Sequence, residues 1–187
     1  MRSKAHFKSH PLHPMLIPIP LAFFTGTFLF DVLGYFNNNF TFWQTGSYLQ
    51  IAGVGFALLA AVPGIVDYAH TVPPKSSAKK RAATHGLINV INVLLQAGIW
   101  WYRRGIDEMP LLVLLLEAAG LVLLVIAGWM GGTLVYRNQI GVDQRYGNAG
   151  KWNEAYIDDS KGKIKVATVD ELKENSMKLL HLNGKRI

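Results

Sequence analysis

Four long apolar stretches fill most of the first 140 residues of this chain, and they limit its fold more than any other feature. They lie at about Pro14–Phe36, Tyr48–Tyr68, Gly86–Tyr102 and Pro110–Tyr136. A bilayer core of about 30 Å needs roughly 20 mostly apolar residues per helix. Inside lipid the backbone must satisfy its own polar groups, so each stretch reads as a membrane-spanning helix. Short connections join antiparallel neighbours in bundles. The expected fold is an all-α membrane protein, an antiparallel bundle of four transmembrane helices over residues 1–142. Residues 143–187 are polar and charged, and form a small tail.

Positive charge sets the orientation of such a bundle. Arg2, Lys4 and Lys8 precede the first stretch, and Lys75, Lys79, Lys80 and Arg81 separate the second from the third. The connection Asn37–Gly46 has no charge, and Arg103–Glu108 carries two of each sign. Both termini are therefore expected in the cytoplasm, in a multi-pass membrane protein. The net charge of +7 is accounted for by anionic headgroups at that leaflet. Lipid is the expected partner, and nucleic acid is not.

The chain contains no cysteine. That excludes disulfides, Cys-ligated zinc, iron–sulfur clusters and c-type haem attachment within it. The first stretch has a basic flank like a signal peptide, but it carries Asp31 and no small-residue cleavage site, so it reads as a retained helix. Pro18 and Pro20 should kink its entry. No convincing internal repeat is present. In the tail, Thr168–Glu171 reads as a capping box opening a helical turn or two, and Asn183-Gly184 as a hairpin turn after a short strand.

Four of the six histidines fall at the predicted cytoplasmic ends of the spans. His10 and His13 stand before the first, His70 ends the second and His85 opens the third. Neutral imidazole is the commonest metal ligand. The set His10, His13, His70 and His85, with Asp67 one turn before His70, is a candidate metal site. The same four histidines are candidate axial ligands of b-type haem, with His13 and His85 the favoured pair.

His85, Asn89, Asn92 and Gln96 share one face of the third span and cannot face lipid. Asp31 and Glu117 are intramembrane carboxylates toward the opposite membrane side, where Arg103 or Arg104 would neutralise one of them. Gly128, Gly131 and Gly132 suit close helix packing, expected within the bundle. No nucleophile-plus-base pair, P-loop or dinucleotide fingerprint marks the chain as an enzyme.

The runs HPLHPMLIPIP, PGIVDYAHTVP, KKRAATHGLINVINVLL and GWMGGTLVYRNQIGV together resemble a bacterial four-helix membrane family, domain of unknown function 2231, over residues 8–142. Asp31, Asp67, His85 and Gly128–Tyr136 match that family's polar and glycine positions. The family has no agreed activity, and some of its members are fused to Rieske-type iron–sulfur domains. The resemblance thus implies a redox setting. Residues Val166–Ile187 resemble the opening strands of a Rieske domain but stop before any cluster motif, so such a cluster would have to come from a partner.

Three functions follow as expectations. One is a redox-accessory or electron-transfer protein with b-type haem, working with other membrane or redox subunits. Another is a non-haem transition-metal protein for binding or transport. The last is a structural subunit of a larger membrane complex without a cofactor.

Overall fold

The computed structural model describes residues 2–106, 108–142, 153–157, 162–172 and 178–186. Residues 1–143 form one compact unit and 144–187 another. The first is the expected helical bundle. A short hairpin, β1 (His6–Phe7) and β2 (His10–Pro11), leads into α1 (Leu12–Leu16). Then come α2 (Pro18–Asn37), α3 (Phe40–His70), α4 (Ser77–Arg103) and α5 (Leu111–Gly132). Four helical segments, Leu12–Asn37, Phe40–His70, Ser77–Arg103 and Leu111–Arg137, are long and apolar enough to cross a membrane.

Local chemistry explains the boundaries. Pro18 occupies the first position of α2, where its missing N–H costs nothing. The predicted kink is thus a break at Ile17 that sets α1 apart. The uncharged connection is much shorter than Asn37–Gly46. Asn38 takes the left-handed conformation, and the Asn39 side chain caps α3 by accepting from Thr41 N–H. The basic linker is also shorter than predicted, because the Ser76 hydroxyl accepts from Lys79 N–H and starts α4 at Ser77. Beyond Gly132 the fifth helix widens into a π-helical turn, Thr133–Arg137.

The helices contact one another in the ring α2–α3–α4–α5, with α5 returning to α2. Large apolar side chains such as Ile65, Leu94 and Val125 point outward. Helices in lipid gain little from burying such groups, so small residues and polar contacts hold the interior.

That interior is a repeat that residue identities conceal. Asp31 and Arg103 stand 72 residues apart. At the same offset, buried Pro20, Phe24, Thr27 and Asp31 of α2 correspond to buried Asn92, Gln96, Ile99 and Arg103 of α4. At a slightly smaller constant offset, Gly46, Gln50, Gly53 and Ala60 of α3 correspond to Val113, Glu117, Gly120 and Ala127 of α5. Contacts repeat too: Gly53 lies against the Phe24 ring as Gly120 lies against the Gln96 amide. The pairs α2–α3 and α4–α5 are therefore equivalent hairpins about a pseudo-two-fold axis along the bundle. The repeat is faint in the sequence because identities recur at only a few positions, such as Gly53 and Gly120 or Ala60 and Ala127, while most side chains have diverged.

In the tail, β3 (Asn153–Ile157) pairs parallel with β4 (Lys178–Leu182), which pairs antiparallel with β5 (Lys185–Arg186). The β4–β5 turn is the expected one, with Asn183 and Gly184 both at positive φ. Thr168–Glu171 forms a turn, with Glu171 N–H donating to the Thr168 carbonyl. Among the described residues it does not become a helix, and residues 173–177 lie outside them.

Candidate functional site

The pseudo-two-fold axis carries two polar centres, one at each end. At the end nearest the basic segments, His13 of α1 and His85 of α4 face each other. Their ring centroids are 6.3 Å apart and their planes nearly perpendicular. The Nδ1 of His13 lies 2.8 Å from the Ala60 carbonyl, and the Nδ1 of His85 lies 2.9 Å from the Ala127 carbonyl. A carbonyl only accepts, so each Nδ1 carries a proton, and in the neutral imidazole Nε2 is the atom with the lone pair. The rings rest on glycines one turn farther along the same helices. A Cβ on Gly64 would come within 2.9 Å of His13, and one on Gly131 within 3.3 Å of His85. The two imidazoles are thus held alike, one by each hairpin.

The opposite end holds a buried charged layer. Arg103 donates to both Asp31 oxygens, at 2.6 and 2.9 Å. It also donates to the Trp43 carbonyl at 2.7 Å, to Gln50 Oε1 at 3.2 Å and to Glu117 Oε1 at 3.4 Å. Its guanidinium lies over the Trp43 ring. Asp31, Gln50, Arg103 and Glu117 are all buried. Glycine makes the room: Asp31 occupies the space a Cβ on Gly46 would need, and Gln96 and Asn92 the space of one on Gly120.

A polar face joins the two centres. Asn89 Nδ2 donates to the His85 carbonyl at 2.8 Å and meets His85 Nε2 at 3.3 Å. Asn92 and Gln96 follow along α4, both buried, and Gln96 Oε1 accepts from Gln50 Nε2 at 2.8 Å. The predicted stripe thus faces the bundle interior along its length.

A family model described as predicted membrane protein (DUF2231) matches residues 9–144. The chain belongs to this family. Neither the curated proteins nor the solved structures contain a match. The DUF2231 region takes in both polar centres and all four long helices.

Within this DUF2231 bundle the predicted site residues separate. Of the four histidines, only His13 and His85 meet. His10 is exposed on β2, and exposed His70 turns back to the Val66 carbonyl of its own helix. Asp67 is engaged by the N-terminal arm. Its carboxylate accepts from the Ser3 hydroxyl, the Lys4 and Ala5 N–H groups and the Thr71 hydroxyl. Among the described residues no group of three or more His, Cys, Asp or Glu is placed to hold a metal ion. The five-residue ligand set His10, His13, Asp67, His70 and His85 therefore does not assemble, because those side chains turn to different partners.

Asp31 and Glu117 do meet, and Arg103 rather than Arg104 joins them. Arg104 lies over Trp100 and Trp101 instead. Of the three glycines, only Gly131 packs within the bundle. Gly128 and Gly132 face open space, which corrects the expectation that all three pack inside. Gln50 and the Trp43 carbonyl were not anticipated. The signal for Gln50 was an amide inside a span, one helical turn from Gly46 and from Gly53.

Proposed function

We propose that this DUF2231 protein is a membrane redox-accessory protein that holds b-type haem between His13 and His85. The observation that carries this reading is the facing pair itself, one imidazole from each pseudo-symmetric half. A metal–imidazole bond of about 2 Å, with half a ring on either side, separates two in-line imidazoles by about 6 Å between centres. The rings stand 6.3 Å apart.

The surroundings fit an axial pair. The helix carbonyls fix the tautomer that leaves Nε2 as donor, as ligating histidines require. Gly64 and Gly131 let the two rings pack directly against α3 and α5, which fixes their positions. The long Asn89 contact to His85 Nε2 would give way to a ligand bond. A bare ion asks a protein for several ligands, whereas a porphyrin brings four nitrogens and asks for two. The convergence of two histidines alone, among the described residues, therefore favours haem over a non-haem ion. Haem would supply reversible one-electron chemistry. In this reading His13 and His85 bind and orient it, and the Ala60 and Ala127 carbonyls hold their rings. The site would lie near the cytoplasmic face of a bacterial inner membrane, within reach of other redox subunits or a Rieske-type partner.

The test is a visible spectrum of protein purified in detergent from cells supplied with haem, oxidised and then reduced, alongside metal analysis. A Soret band is expected in the wild type, His10→Ala and His70→Ala, and is lost in His13→Ala and His85→Ala. Folded wild-type protein without a Soret band overturns the proposal. Stoichiometric metal in that sample would replace haem with a non-haem ion, and neither signal would leave a structural subunit.

A further inference from the structure

At the far end of the axis, two buried carboxyls share one guanidinium. Arg103 satisfies Asp31 with two short bonds, but reaches Glu117 only at 3.4 Å. One positive charge balances one carboxylate, and an uncompensated second charge is costly where water is excluded. Charge neutrality of the layer therefore asks for one proton. Its place is marked by unpartnered atoms. Glu117 Oε2 and Asn92 Oδ1 are both buried without a hydrogen-bond partner. Both are acceptors, on residues that are only 1% exposed. Glu117 Oε2 has no donor within reach, and a proton carried there would turn it from an orphan acceptor into a donor.

The pseudo-symmetry leads to the same atom. Glu117 stands where the other hairpin has Gln50. Gln50 accepts from Arg103, and the equivalent contact for Glu117 is with Asp31. Two carboxyl groups can share a hydrogen bond only through a proton. Protonated glutamic acid has the shape of glutamine and can donate to Asp31 as glutamine would.

We propose that this layer is a proton-exchange site, in which Glu117 takes up and releases one proton while Asp31 remains locked to Arg103. Uptake converts the Glu117 carboxylate to the acid, and release returns the proton to water. The charged groups facing Glu117 are Asp31 from α2 and Arg103 from α4, which also holds the uncharged Gln50 of α3. The buried amides of Gln96 and Asn92, followed by Asn89, line α4 between this layer and the histidine end. The proposal does not depend on whether His13 and His85 carry haem.

The experiment is infrared spectroscopy of the full chain in lipid vesicles. A carboxylic C=O band is expected at neutral pH. It should move to lower frequency in D2O, move again when the chain carries carbon-13 glutamate but not carbon-13 aspartate, and be absent from Glu117→Gln. That variant mimics the protonated form and should melt close to the wild type. A missing band overturns the proposal. So does a band that ignores D2O, which would be a sealed structural proton. A band that follows the aspartate label overturns it as well. The label comparison needs no variant, so it decides the assignment even if Glu117→Gln fails to fold.

Discussion

Gly46 and Asp31 occupy each other's space on facing helices: a Cβ on Gly46 would overlap Asp31 Oδ1. Gly46→Ala must push Asp31 off the two-pronged grip of Arg103. Overpacking alone costs about 1–3 kcal/mol, and a strained buried ion pair adds to it. The expected loss is about 2–4 kcal/mol, read from unfolding in detergent. A Cβ on Gly55 would meet nothing within 4 Å. Gly55→Ala should be neutral or slightly stabilising, and an equal loss there would refute the assignment.

Removing Arg103 tests the layer from the other side. Arg103→Ala leaves buried carboxyls without their cation, and breaking a buried pair costs about 3–5 kcal/mol. Arg103→Lys keeps the charge but cannot hold Asp31, Trp43 and Gln50 at once, so its loss should be intermediate. Equal melting temperatures for Lys and Ala would show that charge without the planar fork contributes nothing to stability.

The glycines behind the histidines should be graded in effect. Gly64→Ala intrudes on His13 more closely than Gly131→Ala does on His85, and Gly128→Ala meets nothing. Groups that orient a ligand typically contribute about 10–100-fold to metal affinity. Haem retained per protein on purification should fall most for Gly64→Ala, less for Gly131→Ala and not at all for Gly128→Ala. Any other order would detach the glycines from the site.

Asp67 fastens the N-terminal arm, accepting from residues 3, 4, 5 and 71. Asp67→Ala should free that arm. A loss of about 1.4 kcal/mol of local stability is a tenfold rise in opening. Tryptic cleavage after Lys4 should therefore accelerate about tenfold, with the helices intact by circular dichroism.

The basic segments flanking the spans predict that both termini lie in the cytoplasm. Reporter fusions at either terminus should be active only as cytoplasmic reporters. A C-terminal alkaline phosphatase that is active would reverse the assignment.

The helices were legible because length and apolar content alone decide a membrane span. Ser76 and Asn39 moved the boundaries outward, since a cap can start a helix in polar sequence that hydropathy scores as loop. The α4 stripe was legible for a similar reason, because amides inside a span have few places to go. The meeting of His13 with His85, and the separation of His10 and His70 from them, were not decided by depth in the membrane. They depend on which side of its helix each side chain leaves from, and on the carbonyls of Ala60 and Ala127. The role of Asp67 was hidden because its partners lie some sixty residues away, in an arm with no periodicity of its own.

The repeated hairpin has one more consequence. Had two identical hairpins associated as separate chains, each residue on the axis would meet its own twin: aspartate against aspartate, or arginine against arginine. Such a self-match cannot be neutral. Covalent linkage of the halves frees the two positions to differ, so that the acid sits in one and the base in the other. The tether between α3 and α4 is thus more than a connection. It is what allows a near-symmetric scaffold to have an asymmetric, electrically balanced interior.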